Sequence, residues 1–240
     1  MPVRSCNEEC TAMRNLDLVP CAGGPIALRA SHSFATTEVR WFAEGALPAS
    51  LIAWFTSERT SIELRRDRYR IDGSPDVGLK QRAGGPLEVK LRCPALGSVQ
   101  LGRARVGRIE EWRKLTDVDE ADLPVGPDPM WADVDKVVLT RTYRQSPDGA
   151  MQPITPRDLS AAGCDVELAS VVVGEFVAWT FALETWGPER DRPAVLRDTL
   201  ATFERETPFI DELVAGLGAD VGYPEWLSMV VTDVRSATGT

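Results

Sequence analysis

Histidine, paired cysteines and long apolar runs are what this 240-residue chain lacks. His32 is the single histidine, so no two-histidine metal site can form, and a histidine-based triad would rest on one residue in a poorly patterned leader. The 5 cysteines are an odd number without a CxxC pair, which points to free thiols in a reducing compartment. The apolar stretch from Val171 to Leu183 is broken by Glu175, too short a run for a membrane span. Met1 to Glu9 contains Arg4 and no apolar segment behind it, so no secretory signal is expected and the cytoplasm is the expected location. Gly 19 and Pro 17 follow no period, which excludes collagen. Basic charge is also short overall: the net charge of -9 argues against binding duplex nucleic acid.

That deficit is uneven. Between Ser61 and Lys114 there are 13 Lys and Arg against 7 Asp and Glu, a local +6 that leaves -15 for the remainder. An acidic protein with one basic stretch suggests a local anion site.

Hydrophobic residues at 43% suffice for one substantial core. Residues 1–33 hold Pro20 and the Gly23-Gly24-Pro25 breaker without either periodicity, so they read as a mobile leader; 34–240 read as one domain, a barrel over 34–187 followed by a helical part over 188–240. Strand patterns fall at Thr37–Phe42, Asp67–Ile71, Val77–Arg82, Leu87–Leu91, Arg108–Leu115, Lys136–Arg144, Asp165–Val173 and Val177–Glu184. Turn chemistry separates them, as at Ala83-Gly84-Gly85-Pro86 and Ser146-Pro147-Asp148-Gly149. Many short strands at short spacing give a mainly antiparallel β (α+β) fold whose sheet curls or closes. Helices are expected after Pro48, from Pro193 and from Pro208, packed outside the barrel or across one mouth. The Gly222-to-Leu227 segment fits a cap on the barrel and a place on its outer surface equally well.

The strands alternate charge with apolar residues. Lys80 and Arg82 share one face; so do Glu88, Lys90 and Arg92, Glu38 and Arg40, and Asp165 and Glu167. Outward-facing charges would make only exposed cross-strand pairs of ~0.2 to 1 kcal/mol each. Inward-facing ones would line a charged lumen that calls for a charged ligand. Arg forks and Lys point charges suit polyphosphate, and a few carboxylates among them suit Mg²⁺ or Mn²⁺. Gly84-Gly85-Pro86 is a hairpin turn rather than a phosphate loop, since no Lys-Ser/Thr follows, and GxSxG is absent.

Thr37-Glu38-Val39-Arg40-Trp41-Phe42, Arg68-Tyr69 ahead of Gly78-Leu79-Lys80-Gln81-Arg82, and Glu88-Val89-Lys90-Leu91-Arg92 come in that order. Lys136 with Arg141-Thr142-Tyr143, Asp165-Val166-Glu167 and Phe181-Ala182-Leu183-Glu184 follow. The series, covering about Thr36 to Trp186, resembles the CYTH-like superfamily, the triphosphate tunnel metalloenzymes that include class IV adenylyl cyclases, thiamine triphosphatases and inorganic triphosphatases. The resemblance implies an eight-stranded closed tunnel-like β-barrel with flanking helices. It implies phosphate binding by Arg40, Arg68, Lys80, Arg82, Lys90, Arg92, Lys136 and Arg141, and Mg²⁺ or Mn²⁺ binding by Glu38, Asp165, Glu167 and Glu184. The family's ExExK signature falls on Thr36, Glu38 and Arg40, so threonine replaces the first carboxylate and arginine the lysine.

The expected ligand is a small triphosphate or polyphosphate. Two functions remain open: metal-dependent triphosphate hydrolysis, with no residue assigned as general base, and a non-catalytic module for a polyanion or nucleotide. A lipocalin-like barrel for an apolar ligand is disfavoured by the charged strand faces. Neither membrane nor duplex nucleic acid is an expected partner.

Overall fold

The computed structural model describes residues 17–21, 24–28, 30–57, 59–71, 74–118, 130–154 and 161–238. In chain order the strands are β1 (Asp17–Cys21), β2 (Gly24–Leu28), β3 (His32–Glu44), β4 (Thr60–Arg70), β5 (Val77–Arg82), β6 (Leu87–Arg92), β7 (Ser98–Leu101), β8 (Arg105–Arg108), β9 (Glu110–Thr116), β10 (Trp131–Gln145), β11 (Met151–Ile154), β12 (Gly163–Val173) and β13 (Phe176–Trp186). The helices are α1 (Ala49–Phe55), α2 (Arg192–Glu206), α3 (Ile210–Gly216) and α4 (Tyr223–Thr238).

Eight strands close a barrel in the order β10-β12-β13-β3-β9-β6-β5-β4, with β4 pairing back onto β10; every ladder is antiparallel. Closure leaves the barrel without a free edge. The long strand β10 serves two partners along one edge: β4 covers 131–141, and β11 takes over from Thr142. The β5–β6 hairpin turns through Ala83 and Gly84, both at positive φ, which is why a Gly-rich stretch sits there.

Alternation assigns the two faces. Outward-facing Val39, Trp41, Leu168, Phe181 and Leu183 pack beneath Leu51 and Phe55 of α1 and Val195, Leu196, Leu200 and Phe203 of α2. Phe181 lies between Trp41 and Phe203, with ring centroids 6.0 and 5.2 Å away. Leu213 and Val214 of α3 join the same layer. A second outer cluster on β5, β6 and β9 holds Leu79, Val89, Leu91 and Leu115.

Several elements escaped the sequence patterns. The β1–β2 hairpin lies in the stretch expected to be a leader, and its strand β1 approaches β6. Pro20 pairs with Pro25 there, a composition tolerated only where strand edges are free, and it hides the alternation. Ile109 separates β8 from β9, where one strand was expected. Among the described residues no helix is long and apolar enough to cross a membrane, and Cys164 is a free, buried thiol.

Candidate functional site

Period-2 alternation that sends Val39 and Trp41 outward sends Glu38 and Arg40 inward, and the antiparallel register stacks like-facing residues across the whole wall. The result is a charged cavity of about 250 Å³ inside the barrel. Of the residues expected to hold phosphate, Arg40, Lys80, Arg82, Lys90 and Lys136 line it. All four expected metal ligands, Glu38, Asp165, Glu167 and Glu184, line it too.

Three expected phosphate contacts lie elsewhere. Arg68 faces outward, over the Trp131 ring at 5.2 Å, because Asp67 and Tyr69 take the inward positions of β4. Arg141 also lies on the outer wall: its Nε donates to Phe55 O (3.1 Å) and its Nη2 to Trp54 O (2.8 Å), tying β10 to α1. Arg92 shares the inward face of β6 but sits outside the cavity lining. It is held by Glu110 (3.2 Å), Asp76 (3.4 Å) and Glu225 (3.1 Å).

The cavity ends at α4. Phe42, Tyr69, Val134, Val171 and Ala178 point inward at one end of the barrel and enclose Trp226, Leu227 and Val230. Trp226 stacks on Phe42 with centroids 4.4 Å apart, and Tyr223 stacks on Tyr69 at 5.3 Å. Pro224 reaches into the space left by Gly78, where a Cβ would stand 3.0 Å from its Cγ. The segment from Gly222 to Leu227 therefore caps the barrel from within. Towards the other end the lining includes Glu63, which is 51% exposed.

Among the described residues the lining holds seven Lys and Arg and six Asp and Glu, so the chamber is almost self-neutralised rather than simply basic. Lys90 bonds the buried Glu38 and lies 3.8 Å from Glu184. Lys114 bonds Glu184 at 2.5 Å, and Arg40 bonds Glu167 at 2.9 Å and Thr180 Oγ1 at 3.1 Å. Burial alone would raise the Glu184 carboxyl, but Lys114 and Lys90 hold it well below the usual carboxylate range. Burial likewise opposes ionisation of Glu167, and Arg40 and Arg65 outweigh it.

Compensation is incomplete on the wall made by β4, β5 and β10. Lys136 donates to Tyr69 Oη (2.7 Å), lies 3.1 Å from Asp67 and sits 3.9 Å above the Tyr223 ring centre. Burial, with help from Arg65 and Lys80, still pushes its ammonium well below the usual lysine value. Lys80 pairs with Glu88 at 3.1 Å, yet burial and the neighbouring Arg82 lower it to about 8. Tyr223, with a buried hydroxyl that has no hydrogen-bond partner among the described residues, faces the same space.

The four carboxylates do not fit a divalent metal. Glu38, Glu167 and Glu184 each already hold an ammonium or guanidinium, Asp165 accepts from Thr142 Oγ1 at 2.7 Å, and no three candidate ligands converge among the described residues. Thr36 is buried and lies outside the cavity lining.

Arg65, Glu63 and Lys114 line the chamber without standing out in the sequence, and Tyr223 enters it from the Gly222-to-Leu227 segment. Arg65 and Lys114 were within reach: Arg65 shares parity with Asp67 and Tyr69, and Lys114 stands directly across from Lys90 in the β6–β9 register.

No family model and no curated protein matches this chain. A solved structure of the S. pombe Pct1 RNA triphosphatase in complex with the Spt5 CTD resembles it, with 9% identity, 78% of this chain and 83% of that chain covered, and a TM-score of 0.36. At that level the likeness is one of distant fold.

Proposed function

We propose that the chamber binds a small polyphosphate, either inorganic or as the triphosphate of a larger molecule. The observation that carries this is the gathering of Arg65, Lys80, Arg82 and Lys136 on one wall of the chamber, where burial depresses Lys80 and Lys136 despite Glu88 and Asp67 at 3.1 Å. A multiply charged anion reverses that penalty, and its oxygens match ammonium and guanidinium donors from Lys80, Arg82, Lys136 and Arg65. An eight-stranded barrel has an interior on the scale of side chains, which suits a chain of phosphates and excludes a duplex. The resemblance of the strand motifs to the CYTH-like superfamily points the same way. Hydrolysis assisted by Mg²⁺ or Mn²⁺ draws no support from the carboxylate arrangement, so binding is the function proposed.

Thermal unfolding with tripolyphosphate tests it. At a hundred times Kd a ligand adds ~2.7 kcal/mol. Each kcal/mol moves Tm by about 2–4 °C for a chain of this size, which gives a rise of about 5–11 °C. No shift at millimolar tripolyphosphate, with or without divalent metal, would end the proposal.

A further inference from the structure

Granting that the chamber binds polyphosphate, we infer that it does so without a divalent metal, and that Glu167 and Glu184 are built-in competitors which the incoming phosphates displace from Arg40, Lys90 and Lys114. Those cations stand where a metal would have to stand. Lys90 bridges Glu38 and Glu184, Lys114 takes the other oxygen of Glu184, and Arg40 takes Glu167.

A divalent ion needs several oxygens to itself, and Mg²⁺ demands near-octahedral placement. Here it would approach carboxylates that are already neutralised, beside ammonium groups whose backbones are fixed in the barrel wall. Repulsion from Lys90 and Lys114 then opposes the very contact that would hold it. A phosphate meets no such conflict. It offers the ammonium groups what the carboxylates offer them, with more charge, and leaves Glu184 and Glu167 to turn toward the solvent they partly reach.

Removing a competitor frees a cation. Glu184→Gln therefore tightens tripolyphosphate binding roughly tenfold in EDTA, since one opposing charge leaves a poorly screened cavity. A metal ligand gives the reverse, because its loss weakens binding wherever the metal mediates it.

Titration calorimetry of the full chain with tripolyphosphate, once in EDTA and once in millimolar Mn²⁺, separates the cases, with Mn²⁺ binding to the protein alone followed by electron paramagnetic resonance. We expect binding in EDTA at least as tight as in Mn²⁺, which itself complexes tripolyphosphate and lowers its charge, together with tighter binding by Glu184→Gln in EDTA and no stoichiometric Mn²⁺ on the protein alone. Glu167→Gln, which frees Arg40, supplies the same comparison should Glu184→Gln fail to fold. Binding that appears only with Mn²⁺, or affinity that stays level or falls in the glutamine variant, overturns the inference and leaves polyphosphate binding in place. Absence of binding in both buffers overturns polyphosphate binding itself, and the inference with it.

Discussion

Replacing Lys80 by methionine should make the ligand-free protein more stable. Lys80 is 16% exposed, and its ammonium titrates at about 8 instead of 10.5, chiefly through burial and then through Arg82, with Glu88 attracting it and Lys114 repelling it. Each unit of displacement corresponds to 1.36 kcal/mol, so keeping the charge in the empty chamber at neutral pH costs about 3 kcal/mol. The sign follows from proton counting. The folded value lies below the unfolded one, so between pH 8 and 10.5 the unfolded chain binds more protons and stability rises with pH. Below pH 8 the full cost applies; above 10.5 it is gone.

Methionine keeps the length of the side chain and removes the charge. Glu88 loses one partner but keeps Arg82 at 3.9 Å, which trims the gain. Urea unfolding at pH 7 should show Lys80→Met more stable by about 1–3 kcal/mol, with the advantage vanishing towards pH 10.5. The same substitution should reduce the tripolyphosphate-induced rise in Tm, so that stability and binding move in opposite directions. A variant less stable than the parent at pH 7, or a difference independent of pH, would refute the account of Lys80 as an incompletely compensated cation.

Arg141→Ala removes two hydrogen bonds to α1 and contacts with the Trp54 and Phe55 rings, so chemical denaturation should register a loss of about 1–3 kcal/mol. Its tripolyphosphate affinity should not change, and a marked loss in calorimetry would return Arg141 to the ligand. Trp226→Ala empties the centre of the inner cap and should cost about 3–5 kcal/mol. A cost below about 1 kcal/mol would show that α4 is not seated in the barrel.

The barrel was legible because outward apolar and inward charged residues alternate cleanly in β3, β5, β6 and β12, where parity has one solution. β4 offers two. In Arg65-Arg66-Asp67-Arg68-Tyr69-Arg70 both parities carry charge, and only burial of Asp67 and Tyr69 settles which faces inward. Parity already separates Arg141 from Lys136: five residues apart on one strand, the two cannot both face the lumen. Internal pairing of Lys114 with Glu184 was hidden for a different reason. It joins strands 70 residues apart that are not neighbours in the sheet, across a lumen whose curvature no local pattern encodes. The cap was hidden in the same way, since the aromatic residues of α4 fit an outer groove and an inner one equally well until Phe42, an inward residue, is seen stacked on Trp226.

Closure of the barrel by α4 turns a passage into a socket. A polymer threaded through an open bore presents its interior, whereas a socket accepts only a terminus. Binding should therefore count chain ends. Per mole of phosphate, a short polyphosphate would saturate the protein at far lower concentration than a long one, in proportion to the number of termini. A triphosphate carried on a large molecule would dock with its bulk outside the rim near Glu63, leaving the carrier accessible to whatever else recognises it.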